Sequence, residues 1–561
     1  MTDQATGGQG ESAEEAATSF DSLVDTWIEE ELASSPVHAT SLGTEGDHGS
    51  LGDWSAVAIE DRERSDGRWL RRLEKLDTAR LGSERRVDLG LLVSALKGRA
   101  VYSSWDHWRR DPATYLDPCL YGVFALFLNR IFPEAELVSY ATSRLLQVPQ
   151  VLADAKQNLD MELASPLICE RALGQSNAAV AYFRRLLPAE VDDPGLRAKL
   201  AEAGEVAAGA MESFIQDLEA LAKKARGDYA LGEERYTALL KDKELLGYGA
   251  AELRIRGEAA WAEIDDQMRA LASEVDPSAD SWRSVVESLN SDHPESPEQM
   301  LATYTDWTER ARRFLADNGL VTLPEGEKCL VEPSPPFQRP VLAVASYSQP
   351  PAFRPGLTGH FFVPFPPEGT PPDEVQKRLA SNSFHSIPTI SVHEAYPGHH
   401  WHLTWMKANP RRVRQLVWSS YFAEGWALYS EKMMSEQGFF EDPRSELCFL
   451  DARIFRAARI IVDTGLHIGD LDFEGAVEIM RTRASLPEPV ARAEVTRYCA
   501  WPTQAPSYLT GSLEIERIRE QFMAANSGGL REFHDSICAT GSMPLGLAEQ
   551  ALFGSPKAGT S

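Results

Sequence analysis

Four of the chain's twelve histidines, His393, His399, His400 and His402, fall within the ten-residue stretch HEAYPGHHWH. Imidazole is the commonest nitrogen ligand for zinc, and a catalytic zinc takes three protein ligands and keeps a water in the remaining position. In the helical pattern HExxH, two histidines four residues apart share a face and converge on one ion. The glutamate between them stands beside the bound water as its general base. His393 and Glu394 supply the first half of that pattern, but Pro397 stands where the second histidine belongs.

The register decides which histidine replaces it. On a regular helix His393 and His399 lie about 120° apart round the axis; His393 and His400 share a face but stand about 10 Å apart along it. Pro397 cannot donate its backbone hydrogen bond, and its ring pushes against the carbonyl of His393. Gly398 permits backbone angles that other residues avoid. The segment YPGH therefore predicts a bulge or a break that absorbs two residues and brings His399 round to the second ligand position, with His400 as the competing choice. A third ligand must come from another segment. In YFAEGWALYSE, Glu424 sits within an apolar run, and a buried carboxylate needs a cation or a proton beside it. The alternative is an exposed glutamate on an amphipathic helix; next to the histidine cluster, Glu424 reads as the third ligand. Glu431 lies seven residues later on the same face and could brace a ligand. Two imidazoles and a carboxylate suit Zn2+ best, with manganese, iron or cobalt as other divalent choices.

Further residues could take part. His467 follows Asp463 by four on a predicted helix, so the aspartate could orient the imidazole. Arg497 could hold a substrate carboxylate through a bidentate pair, or form an ordinary salt bridge. No GxSxG elbow, phosphate-binding loop or dinucleotide fingerprint is present, which removes serine hydrolases, NTPases and Rossmann enzymes from consideration.

These groups must be positioned by a chain of 561 residues, long enough for one large or two ordinary domains. Acidic residues outnumber basic ones 84 to 56, for a formal charge of −28, which argues against a nucleic-acid partner. Residues 1–19 lack a basic or apolar signal segment and are expected to be disordered. No apolar run reaches about 18 residues, so no membrane span is expected. The six cysteines are scattered without a CxxC pair, as in a reduced, cytoplasmic protein. Residues 20–320 read as a helical scaffold, with long alanine-rich amphipathic stretches such as AAELRIRGEAAWAEIDDQMRALASEV. Residues 321–555 form the metal-binding region, integrated with the scaffold as one domain. Just before the histidines, VLAVASY and GHFFVPF are proline-flanked and suit edge strands or a short hairpin-like sheet.

The stretches IPTISVHEAYPGHHWHL, YFAEGWALYSEKM, VDTGLHIGD and RYCAWPTQAPSYLTGSLEIERIR resemble the bacterial proteins called domain of unknown function 885. PVHATSLGTEGDHG resembles that family's N-terminal segment, so the resemblance spans nearly the whole chain, with the most specific motifs in residues 387–520. That family in turn resembles the gluzincin zinc peptidases, in particular the mostly helical neurolysin, angiotensin-converting-enzyme and carboxypeptidase Taq types. The resemblance implies a mainly α (α+β) chain: a large helical zincin-like fold, a small antiparallel sheet beside the histidine helix, a deep cleft and a buried metal. PGH resembles the end of the neurolysin-type HEFGH, which equates His399 with the second zinc ligand. Glu424, 25 residues on, falls near the spacing of the glutamate ligand. The two extra residues after Glu394 depart from the pattern. In those peptidases a tyrosine steadies the oxyanion; Tyr498 resembles that of the converting-enzyme type and Tyr508 that of the carboxypeptidase Taq type. The implied activity is metal-dependent hydrolysis of a short peptide or an amide-containing small molecule, with Glu394 moving a proton from the metal's water to the leaving amine. A lyase or amidase of a small metabolite, and a non-catalytic binding protein with a degenerate site, are the alternatives. The sequence fixes no oligomeric state.

Overall fold

The computed structural model describes residues 13–554 apart from 340, 341, 343, 526 and 527. The fold is mainly α. Residues 13–19, expected to be disordered, open the helix Ala13–Ser34, because the alanines and acids of AEEAATS favour a helix that the apolar face of Phe20, Val24 and Trp27 then anchors in the core. Residues 1–12 lie outside the described residues. Among the described residues no helix is long and apolar enough to cross a membrane.

The scaffold packs helix on helix. Glu134–Asn158 and Pro166–Ala181 both lie against Pro194–Ala222, which starts where Asp193 accepts the backbone N–H groups of Gly195 and Leu196 and Pro194 needs no donor partner. The alanine-rich stretch forms the helix Ala250–Val275 and runs along Pro443–Ile468. One hydrophobic core takes Trp27, Leu92 and Tyr304 from the first part of the chain together with Trp401, Trp426 and Phe533 from the second. Residues 20–320 and residues 321–555 therefore share one interior.

The sheet differs from expectation. It has three strands, β1 (Lys328–Pro333), β2 (Ser346–Ser348) and β3 (Thr358–Val363), in the order β1-β3-β2. β1 is parallel to β3 and β2 antiparallel to it, so the sheet is mixed, not antiparallel, and GHFFV is its centre, not an edge. β1 escaped detection because KCLVEP alternates poorly and carries charges at both ends; its pairing with β3 supplies what its own pattern lacks. Glycine at position 359 is required: a Cβ there would lie 1.9 Å from the hydroxyl of Tyr347, which crosses β3 toward the histidine cluster.

Two helices meet closely enough to fix the site. Ser420–Glu436 packs on Ser507–Ala525 through Gly425 and Gly511: a Cβ on Gly511 would stand 2.0 Å from the carbonyl oxygen of Tyr421, and one on Gly425 2.5 Å from the Cα of Gly511. Gly511→Ala should therefore destabilise the protein by about 1–3 kcal/mol. Gly209→Ala, on an exposed helical position with nothing within 4 Å, should stabilise it by about 0.5–1 kcal/mol. Urea-unfolding midpoints of the two variants, moving in opposite directions, check both.

Candidate metal centre

The sequence HEAYPGHH breaks the helix rather than bulging it. One helix, Ile387–Glu394, ends at the general-base position, and a second, His399–Met406, starts at the histidine pair. Between them Ala395 leaves helical angles and the Tyr396–Pro397 peptide bond is cis. Gly398 then folds back over the first helix, its N–H reaching the carbonyl of Val392 at 3.0 Å. A Cβ on Gly398 would lie 1.9 Å from the carbonyl oxygen of His393, so only glycine fits. The indole N–H of Trp426 donates to the carbonyl of Pro397 at 2.8 Å, which ties the break to the helix that carries Glu424.

This geometry brings His393, His399 and Glu424 together. One ligand atom from each lies within 4.8 Å of the others. The Nε2 atoms of His393 and His399 stand 3.6 and 3.5 Å from Oε2 of Glu424, and the two rings meet edge to face with centroids 4.9 Å apart. In a tetrahedral zinc site with bonds of about 2.0–2.2 Å, neighbouring donor atoms stand about 3.4 Å apart. The donor set and its spacing therefore fit one zinc ion. The electrostatics agree. Burial disfavours a charged Glu424, but the imidazoles of His393 and His399 hold its carboxyl well below the usual range. Burial likewise lowers His393, yet Glu424 and Glu431 outweigh it and raise the imidazole to about 10. A half-buried carboxylate held between two imidazoles favours a positive charge beside it.

His393 is braced by Glu431: its Nδ1–H donates to Oε1 at 2.6 Å, and the glutamate side chain is 1% exposed. That contact fixes the tautomer that leaves Nε2 free for a metal. His400, the competing ligand, is turned away. Its Nε2–H donates to Glu327 at 2.7 Å and its Nδ1 accepts the hydroxyl of Tyr347 at 2.9 Å. Glu327 also accepts the hydroxyl of Tyr396 at 2.5 Å and the guanidinium of Arg312 at 2.8 Å. Burial pushes its carboxyl up, but these three partners bring it down to about 2. Nothing in the turn LPEGEKC set Glu327 apart from Glu325 or gave a sign of this buried role. His402, the fourth histidine, packs on Phe422, and burial lowers it to about 3.

Glu394 forms no hydrogen bond or ion pair among the described residues. Burial raises its carboxyl, against the lowering pull of His399 and His393. Tyr508 stands three residues before Gly511, on the helix that meets the helix of Glu424 at the Gly425–Gly511 contact. Burial and then the charge of Glu424 raise its phenol. Among the described residues its hydroxyl receives only a 3.4 Å contact from the amide of Gln504, which leaves the proton free to donate. Tyr498 is committed elsewhere: its hydroxyl donates to Glu494 at 2.6 Å and accepts from Arg459 at 3.1 Å. Arg497 is held by Gln504 at 2.5 Å and by Glu494 at 3.1 Å.

Asp463 does not orient His467. Asp463 accepts the hydroxyl of Tyr236 at 2.6 Å and the N–H of Thr503 at 3.1 Å; burial pushes it up to about 7 against those bonds. His467 bonds to the carbonyl of Tyr498 at 3.0 Å, and burial lowers it to about 4. The pair ties the helix Pro443–Ile468 to its neighbours, each member through a different partner.

His399 and Glu424 form part of the wall of a cleft of about 980 Å³, which Tyr347, Ser348 and Gln349 of the sheet edge, Trp54 and Trp418 also line. It continues into a second cavity of about 1120 Å³ through shared walls at Ser35, Trp54, Arg62 and Asp117.

Fold and donor set together define a class: a mainly α-helical protein with a two-histidine, one-glutamate centre at a deep cleft. The chain belongs to the bacterial proteins of unknown function grouped as DUF885, whose family model matches residues 36–552. Its fold is shared by a candidate lipoprotein of unknown function from Shewanella oneidensis, with 20% identity, TM-score 0.77 and coverage of 96% of this chain and 99% of that one. A candidate lipoprotein from Colwellia psychrerythraea is similar at 19% identity, TM-score 0.79 and coverage of 95% and 98%. No curated protein matches the chain significantly.

The His393 proton has a testable sign. Its folded pKa lies above the ordinary 6.5, so its contribution to zinc-free stability is full below about pH 6.5 and is lost as pH rises through about 10. Zinc needs the neutral imidazole, so loading at pH 8 should release about one proton. Calorimetry in two buffers of different ionisation enthalpy counts it. In the same titrations Glu431→Gln should weaken zinc by about 10–100-fold.

Proposed function

We propose that this chain is a metal-dependent hydrolase, with zinc as its ion, that cleaves amide bonds in short peptides or small amide-containing molecules. The observation that carries the reading is the convergence of His393, His399 and Glu424 on one point, with the uncommitted carboxylate of Glu394 beside them and a cleft in front. The motif likeness to gluzincin peptidases supports it.

Bound there, zinc would acidify a water and polarise the scissile carbonyl. The rest falls to the chain's own residues. Glu394 takes the proton from the attacking water; as the water oxygen bonds to the carbonyl carbon and the C–N bond breaks, Glu394 passes that proton to the leaving nitrogen. The burial that raises its carboxyl suits both halves of this exchange. The hydroxyl of Tyr508 donates to the carbonyl oxygen as negative charge develops on it. Among the described strands β2 pairs only with β3, and Tyr347 and Gln349 reach the cleft; an extended substrate backbone would lie along that side of the sheet. A walled cleft admits short chains and excludes folded proteins.

We assign the chain to the cytoplasm on its six unpaired cysteines, five of them buried. The lipoprotein description of the two solved relatives favours an extracytoplasmic site, and cell fractionation decides between them.

A zinc-loaded sample screened against a peptide library should cleave short members, and Glu394→Gln should lower kcat/KM by about 10²–10⁴-fold while retaining a full equivalent of zinc by metal analysis. A wild-type protein that takes up no zinc, or a variant as fast as the wild type, would sink the proposal.

A further inference from the structure

The cleft at the metal centre and the larger cavity meet at a wall that holds an unpaired acid. Asp117, on the helix Ala113–Asn129, lines both spaces. Among the described residues its carboxylate makes no hydrogen bond and no ion pair. The side chain is open to the cavity, yet the protein around it pushes its carboxyl up to about 6, with Asp111 adding to the rise and Arg171 opposing it. One turn earlier, Thr114 lines the larger cavity and carries a hydroxyl buried without a partner.

The other charges of these walls lean the same way. Histidines aside, the larger cavity is lined by six carboxylates, Glu30, Glu31, Glu63, Asp66, Asp111 and Asp117, and by four basic side chains, Arg62, Arg99, Arg171 and Lys243. The cleft adds Asp53 and Glu424 and no further base. Arg99 is matched by Glu31 at 2.6 Å and Asp66 at 3.3 Å, and Lys243 by Glu244 at 2.6 Å. Arg62 donates to the carbonyl of Asp53 at 2.7 Å and lies 5.3 Å from the ring centre of Trp54. With Glu424 left to its imidazoles, Glu30, Asp53, Glu63, Asp111 and Asp117 still face only Arg62 and Arg171. Between the charges the walls are aromatic. Trp27, Trp54, Trp69, Trp108 and Trp501 line the larger cavity and Trp418 the cleft; Trp501 is 54% exposed and Trp418 47%. Indole faces and unpaired carboxylates attract the same kind of group, an organic cation.

We propose that the joined cavities bind a substrate that carries a positively charged nitrogen, an ammonium or a guanidinium, and that Asp117 is the residue that selects it. This names a substrate class for the hydrolase reading and rests on that reading for turnover; the binding preference stands apart from it. Asp117 shares the cleft of about 980 Å³ with His399 and Glu424. That is the volume of a site for a small ligand, so one short chain can meet the centre and Asp117 together. A cation seated there gives the carboxylate the partner that the protein does not.

The test is binding, with the full-length protein before and after zinc loading, at physiological salt to screen the overall charge of −28. Calorimetry follows acetylated tetrapeptide amides, Ala-Ala-X-Ala, with lysine, glutamine or glutamate at X, and the glutamine peptide with a free amino terminus. The lysine peptide should bind about tenfold more tightly than the glutamine peptide, and the glutamate peptide more weakly than either. Asp117→Asn should remove most of the lysine preference and leave the affinity for the glutamine peptide unchanged; Asp117→Ser serves if that variant does not fold. Glu219→Gln removes the same charge from an exposed helical position outside both cavities and should change nothing. A gain by the free-amine peptide that Asp117→Asn removes makes the chain terminus a source of the cation; a gain by lysine alone makes it a side chain. Equal affinity for the lysine, glutamine and free-amine peptides, no binding of any of them, or tighter binding of glutamate overturns the proposal. So does a cation preference that survives Asp117→Asn or that Glu219→Gln also removes. Turnover then separates the two ideas. A protein that binds as described yet cleaves nothing keeps the cation site and loses the hydrolase reading. One that cleaves neutral or acidic peptides as fast as basic ones keeps the hydrolase and loses the substrate class.

Discussion

The rest of this molecule is arranged around a carboxylate placed between two imidazoles inside protein. Glu424 is held charged there by the imidazoles beside it. His393 stands between Glu424 on one side and Glu431 on the other, and the two carboxylates raise its imidazole. The same three groups, with the two imidazoles 3.6 and 3.5 Å from the carboxylate, would suit a dication in that place. A proton and a metal ion would then compete for one position.

Holding the two imidazoles at that spacing requires a broken helix, and the break is itself built from packed parts. Gly398 lies on the end of the first helix where no side chain fits, Trp426 clasps the carbonyl of Pro397, and Glu327 gathers Tyr396, His400 and Arg312 into a buried knot. His400 thus serves the centre without touching it: anchored to Glu327 and Tyr347, it fixes the start of the second helix, and the residue before it is left facing Glu424. A continuous helix could not have presented His399 in this way.

Much of this was legible because the residues concerned are chemically extreme. Four histidines in ten positions, a proline and glycine where a ligand should be, and a glutamate in an apolar run leave few arrangements open, and these lead to His393, His399 and Glu424. The scaffold helices were legible for the usual reason that their periodicity is long and regular. What escaped depended on partners distant in sequence. β1 is a strand because β3 lies beside it. Glu327 is a buried acceptor because three donors from remote segments meet it. Asp463 and His467 sit one turn apart yet bond to Tyr236, Thr503 and Tyr498 instead of each other, a choice no spacing rule reveals.

The contact between Gly425 and Gly511 joins two helices backbone to backbone, with no side chain between them to flex. The carboxylate just before one glycine and the phenol one turn before the other are thereby mounted on a single stiff joint. Their separation is set by peptide geometry and not by the rotamers of intervening groups, so breathing of the cleft carries both together and leaves the interval between them unchanged.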